Sequence, residues 1–220
     1  MTFGSAPADF LQGARNAAGT CLAIQPQERV ALIADEPSRE VAASLEQALV
    51  ERGASLDSVL IEGVASRPIR EAPTEVIAAL ERADAGVLCV QPMEGELAAR
   101  MAIVAVVERR RMRYAHMIGV TPRIMREGMR ADYRQVDRLS QQLCDRMQGA
   151  RMLSVRTASG TDFTATFVRS LAWVKTSGIV LVSCRRAPKF GVLATAITSG
   201  AERTNSAAAA FVRSVSPALQ

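Results

Sequence analysis

From Arg29 onward, short β-branched runs alternate with helical stretches, and that rhythm admits few folds. Arg29-Val-Ala-Leu-Ile-Ala34 has the length and composition of a buried strand. It ends at Asp35-Glu-Pro-Ser38, where the Ser38 hydroxyl is expected to cap a helix by accepting from a free first-turn amide. Val41, Leu45 and Leu49 then recur four residues apart, and Gly53 closes that helix by accepting a left-handed backbone. Leu56–Ile61 reads as a second strand, Pro68 and Pro73 bracket a loop, and Thr74 is expected to cap a helix carrying Val76, Ile77 and Leu80. Gly86–Val90 is a third strand, closed by Pro92. Leu97, Met101, Val104 and Val107 mark a helix that runs out at Arg109-Arg-Arg111, and Tyr114–Ile118 is a fourth strand. Asp132 opens a long helix with Tyr133, Val136, Leu139, Leu143 and Met147 on one face, ended by Gly149. An earlier helix, about Asp9–Leu22, precedes the series.

Repeated strand–helix alternation predicts an α/β fold. The expected architecture is an open, mostly parallel, Rossmann-like sheet covered by helices on both faces, with right-handed crossovers. The pattern changes after Arg151. Met152–Thr157 and Asp162–Phe167, joined by Ala158-Ser-Gly160, predict a short β-hairpin extension, with Phe163, Ala165 and Phe167 on one side. The expected division is a three-layer domain over 1–150, a hairpin opening an incomplete second domain over 151–183, and a poorly specified, disorder-prone tail over 184–220. Within these, 178–183 has the composition of a strand and 206–214 has helical character.

Composition excludes several classes. The chain has 220 residues, enough for one full core, and its 49% hydrophobic and 22% charged residues are ordinary for a globular protein. No apolar run approaches the ~18 residues of a membrane span, and the first ten residues lack a basic, apolar leader, so a cytoplasmic protein without membrane partners is expected. The net charge of +5 is concentrated beyond Val180, where Arg185, Arg186, Lys189, Arg203 and Arg213 face one acid, Glu202. The preceding residues are nearly neutral, which argues against a nucleic-acid face. Cys21, Cys89, Cys144 and Cys184 form no Cys-x-x-Cys pair, and one histidine, His116, limits both metal and triad chemistry.

Candidate site residues are few. Asp35, Glu36 and Ser38 sit where the first strand ends, the edge at which open parallel sheets form ligand crevices. Two carboxylates there have two readings: ligands for a cation or hydroxyl, or compensation of a helix N-terminus. Neither a dinucleotide-binding Gly-x-Gly-x-x-Gly nor a P-loop occurs. The Arg109–Arg113 cluster reads as a solvated helix end rather than a phosphate grip. His116 reads as a buried, hydrogen-bonded core residue, and Met117, Met125, Met129, Met147 and Met152 as core fillers.

Several segments together resemble the aminopeptidase T family of metallo-aminopeptidases. They are Glu28-Arg-Val-Ala-Leu-Ile-Ala-Asp-Glu-Pro-Ser-Arg-Glu40, Tyr114-Ala-His-Met117 followed by Arg123–Asp132, Ala158-Ser-Gly-Thr-Asp-Phe-Thr164, and Trp173-Val-Lys-Thr-Ser-Gly-Ile179. The likeness runs from about Asp9 to Ile179. It implies an N-terminal α/β domain followed by a catalytic domain whose Glu, His, Tyr and Asp side chains hold two divalent metal ions. None of those ligands maps onto this sequence, so no catalytic residue and no metal ligand is assigned, and metals are expected only in full-length relatives. After Ile179 the family pattern stops at Val180–Pro188, and the tail is read as a shifted frame or degenerate end. The expected function is therefore a truncated, non-catalytic scaffold domain. The alternatives are a small-ligand or regulatory binding domain at Asp35 and Glu36, and a subunit of a split metallo-enzyme of the peptidase or ring-opening dioxygenase branch. Expected partners are a second copy, in a homodimer, and a separately encoded catalytic domain.

Overall fold

The computed structural model describes residues 2–168, 173, 175 and 177–179. Four strands, β1 (Arg29–Ala34), β2 (Ser55–Leu60), β3 (Ala85–Val90) and β4 (Arg113–Ile118), form one sheet in the order β2-β1-β3-β4. Every neighbouring pair is parallel, with Leu32 opposite Ser58 and Val87, and Leu88 opposite His116. The two central strands, Arg-Val-Ala-Leu-Ile-Ala and Ala-Gly-Val-Leu-Cys-Val, are near-continuous apolar runs because both of their faces are covered. Polar residues enter at the edges, in Ser55-Leu-Asp-Ser58 of β2 and at His116 of β4.

Helices α2 (Arg39–Glu51), α3 (Thr74–Arg82) and α4 (Leu97–Arg110) make the three crossovers. Ahead of β1, α1 (Leu11–Arg15) continues into a π-helical turn over Asn16–Cys21. Successive side chains of β1 point to opposite faces. Leu32 joins Phe10, Leu45, Leu49 and Met125 in one core, and Ile33 joins Leu80, Leu88 and Ile103 in the other. The result is the three-layer α/β arrangement that the strand–helix alternation predicts. At α1 the packing is tight enough to demand glycine: a Cβ on Gly13 would lie 2.8 Å from both the Met125 carbonyl oxygen and Met129 Cβ.

After β4 come the short helix α5 (Pro122–Arg126) and the long helix α6 (Tyr133–Met147). A hairpin of β5 (Met152–Arg156) and β6 (Asp162–Thr166) follows, antiparallel with Leu153 opposite Ala165. Gly53 (φ +77°) and the Asp132 side chain, which accepts from the Arg134 and Gln135 amides, act as expected at their helix ends. The expected strand over 178–183 lies mostly, and the tail over 184–220 wholly, outside the described residues.

Local expectations at Ser38, at Thr74 and for two of the methionines are corrected, and the burial of α4 and α6 adds to what their spacing showed. The first turn at Ser38 is capped by the Asp35 carboxylate, which accepts from the Ser38 amide at 3.0 Å, and the Ser38 hydroxyl makes no cap. Thr74 is the first helical residue of α3 rather than its side-chain cap, because Pro73 already holds the extended entry conformation. On α4 the core face is Ala99, Ile103, Val106 and Val107, while Leu97 and Met101 point outward. On α6 no residue is fully buried, although the helix is strongly amphipathic: Leu139 is 56% and Leu143 61% exposed. Met117, Met125 and Met129 fill the core, but Met147 is half-buried and Met152 is exposed.

Candidate functional site

The strand order β2-β1-β3-β4 reverses direction between β1 and β3, and in open α/β sheets the crevice at the carboxyl ends of such a strand pair is the usual ligand position. Asp35 follows β1 and Gln91 follows β3, so both stand at this switch point. Between them lies the guanidinium of Arg67, brought in by the loop that joins β2 to α3. The Arg67 and Asp35 side chains form an ion pair. Arg67 Nε donates to Glu96 Oε1 at 2.8 Å, and its Nη2 donates to Glu96 Oε2 at 2.6 Å and to the Gln91 carbonyl at 2.8 Å. The three charged side chains are almost fully buried, at 0% exposure for Asp35, 2% for Glu96 and 5% for Arg67.

The remaining lone pairs are also used. Asp35 accepts from the backbone amides of Ser38 at 3.0 Å and Gln91 at 2.7 Å. Glu96 accepts from the Ile69 amide at 3.1 Å. The Gln91 side chain donates to the Ser38 hydroxyl at 3.2 Å and to the Val120 carbonyl at 3.0 Å. Every loop at this edge of the sheet is thereby tied to one arginine. The planar, five-donor guanidinium suits such a place, since it meets two carboxylates and a carbonyl at once. Donation from Arg67 holds the Glu96 carboxyl below the usual carboxylate range against the opposing effect of burial, and Glu96 in turn raises the arginine.

The three residues singled out in the sequence therefore separate. Asp35 and Ser38 belong to the buried network, whereas Glu36 turns outward and forms a surface pair with Arg39 at 2.7 Å. That bond holds Glu36 below its ordinary value. Arg67, Gln91 and Glu96 escape sequence reasoning. An acid ending a buried strand demands a counter-charge, but nothing in an irregular loop singles out one arginine in a chain so rich in them.

The described residues at this crevice do not fit a two-metal centre. Asp35 and Glu96 are committed to Arg67, and Glu36 to Arg39. Among the described residues, no group of three His, Cys, Asp or Glu side chains is placed to hold a metal ion. The arginine cluster is likewise engaged: Arg109 pairs with Glu81, Arg110 donates to the Leu80 carbonyl, and Arg113 bonds the Leu22 and Ala23 carbonyls at 2.9 Å and pairs with Glu28. Cys21 and Cys89 are buried thiols pushed up to about 12, the reverse of a reactive cysteine.

His116 is half-buried on the edge strand, and the expectation of a satisfied core histidine is corrected, because its Nδ1 has no hydrogen-bond partner. Burial, aided by the Arg100 charge, lowers it to about 4. The unfolded chain, with a histidine near 6.5, then binds a proton that the folded chain refuses between about pH 6.5 and 4, so stability falls as pH drops through that window. His116→Gln is expected to remove on the order of 1–3 kcal/mol of this acid dependence. Urea titrations of both forms at pH 7 and pH 4.5 check it, and an unchanged pH slope would refute it.

No family model and no curated protein matches the chain. Among solved structures, it is similar to wild-type AmpT from Thermus thermophilus, at 13% sequence identity and a TM-score of 0.43. The match covers 70% of this chain and 52% of AmpT, so the chain spans about half the length of that protein. The likeness is distant, and the fold assignment stands on strand order and register.

Proposed function

We propose that the chain is the non-catalytic scaffold part of an aminopeptidase T-like protein. In this reading it is an α/β unit without a peptide-cleaving centre, which works together with a two-metal catalytic domain. The observation that carries the reading is the sealed switch point. The one crevice that the strand order creates holds an arginine whose partners are the very carboxylates a ligand would need. A buried, hydrogen-bonded ion triad of this kind fixes loops relative to each other, which is what a scaffold requires, and offers neither a free base nor an open coordination position.

The sequence resemblance between Asp9 and Ile179 supports the family part of the reading, and the apolar ridge of α6, exposed among the described residues, supports the partnership. Val136, Leu139 and Leu143 face outward. The flank of α6 that is covered meets its own chain: Lys175 pairs with Asp137 at 2.8 Å, and the Cys144 thiol donates to the Trp173 carbonyl at 3.7 Å. We assign this row of exposed apolar side chains to the catalytic domain, since exposed apolar surface of this kind serves as a docking surface. A ligand or regulatory role at Asp35, Glu36 and Ser38 ranks second, because a ligand there must first displace Arg67. The test is hydrolysis of amino-acid p-nitroanilides with added zinc, cobalt or manganese, by the chain alone and with a separately supplied catalytic domain.

A further inference from the structure

We propose that Trp173, Lys175 and residues 177–179 form a strap that clasps α6, runs antiparallel to it, and docks or releases as one unit. The inference is independent of the scaffold reading and rests on contacts made within this chain.

The half-buried residues of α6 define the line of the clasp. They are Tyr133, Asp137, Ser140, Cys144 and Met147, and the other residues of the helix are exposed. Their spacing alternates between four and three, so they share one face. This stripe is mostly polar and is distinct from the apolar ridge of Val136, Leu139 and Leu143. Polar groups screened from water require partners, and for Asp137 and Cys144 the strap supplies them.

Gly178 lies against Tyr133 at the start of the helix. Its φ is +79°, and a Cβ there would lie 2.9 Å from Tyr133 Cε1 and 3.1 Å from Cδ1, so the approach requires glycine. Asp137 takes the middle: its Oδ1 pairs with Lys175 Nζ at 2.8 Å and accepts from the Ser177 hydroxyl. Donation from Lys175, and then from Ser177, holds the Asp137 carboxyl below its usual range. Further along, the Cys144 thiol donates to the Trp173 carbonyl at 3.7 Å. The Trp173 ring then meets Phe167, just past β6, edge-on with centroids 4.9 Å apart.

The order of these contacts makes one device of them. Strap positions fall from Gly178 to Trp173 while helix positions rise from Tyr133 to Cys144. Tyr133 to Cys144 is about 17 Å of helix, and Trp173 to Gly178 at full extension is also about 17 Å. The lengths agree, so both ends seat at once, and each seated anchor makes the next contact intramolecular and more favourable. Asp137 stands between the two ends and is the one charged residue of the stripe, so it positions the whole strap. Through Trp173 the strap also ties the β5–β6 hairpin to α6. Opening of such a unit is local and leaves the sheet closed.

Cleavage of the folded 220-residue chain by a lysine-specific endoproteinase tests the strap. Lys175 and Lys189 are the two lysines of the chain, so fragment mass identifies the cut at Lys175. The Lys175 side chain is 17% exposed and ion-paired, and it is expected to be cut at least about tenfold more slowly than in a synthetic peptide of residues 168–182. Asp137→Ala, Gly178→Val and Trp173→Ala are each expected to speed that cut by about tenfold, because cleavage follows the population of the open form. Asp145→Ala, at an exposed site on the same helix, is expected to leave it unchanged. Hydrogen exchange of β1 and β3 is expected to match the wild type in all four variants, which separates release of the strap from unfolding. A wild-type chain cut at the rate of the peptide overturns the proposal. So does a cut that Gly178→Val or Trp173→Ala leaves unchanged, or one that is faster only where the protection of the sheet is lost.

Discussion

Arg67→Met is expected to destabilise the fold by about 3–5 kcal/mol, since it strands two buried carboxylates without their cation. That is a large share of the ~5–15 kcal/mol that holds a domain together. The loss comes less from the ion pairs themselves than from what remains: Asp35 and Glu96, at 0% and 2% exposure, have no water to turn to. Replacing all three members, as in Asp35→Asn with Arg67→Met and Glu96→Gln, is expected to recover much of the loss, because removing a buried charge network whole is far milder than halving it. The pH dependence has a definite sign. Glu96 is held below its ordinary 4.5 by Arg67, so its contribution is present above that value and fades as pH falls through the lower folded value. Urea unfolding at pH 7 decides the point. A cost under about 1 kcal/mol for Arg67→Met would mean that the guanidinium is not what closes the switch point.

The second large effect is a contrast between two leucines. Leu32→Ala, in the middle of β1 and fully buried, is expected to cost about 2–5 kcal/mol, as large-to-small changes in rigid cores do. Leu139→Ala removes the same atoms from α6 and is expected to change stability by less than about 0.5 kcal/mol. The comparison bears on function, because a ridge that contributes nothing to its own fold is free for another domain. Chemical denaturation of both variants measures it. A cost for Leu139→Ala approaching that of Leu32→Ala would make the ridge part of this chain's own core and remove the docking argument.

The sheet was legible because central strands and crossover helices each leave a local trace. Continuous apolar runs marked β1 and β3, and four-residue spacing marked α2 through Val41, Leu45 and Leu49, all now buried. Periodicity reports an apolar face without saying what covers it, so it marked the helices α4 and α6 but not how they are buried. Leu97 and Met101 share the spacing of a core stripe yet face outward, because the small Ala99 and the branched Ile103 supply the inner face. Asp35 was legible as the residue at the crevice edge, since it follows a buried strand. Its partner was not, because Arg67 reaches the network from an irregular loop 32 residues away, and no local pattern encodes that pairing. Gln91 and Glu96 were hidden for the same reason.

The proposal of a non-catalytic scaffold turns on whether the chain alone can assemble a peptide-cleaving two-metal centre. It is tested most directly by incubating the purified chain with leucine p-nitroanilide and saturating zinc, cobalt or manganese. The account predicts release of p-nitroaniline at the rate of a protein-free control with each metal, and catalysis only when a two-metal catalytic domain is supplied. Metal-dependent, chelator-sensitive turnover by the chain alone would contradict it.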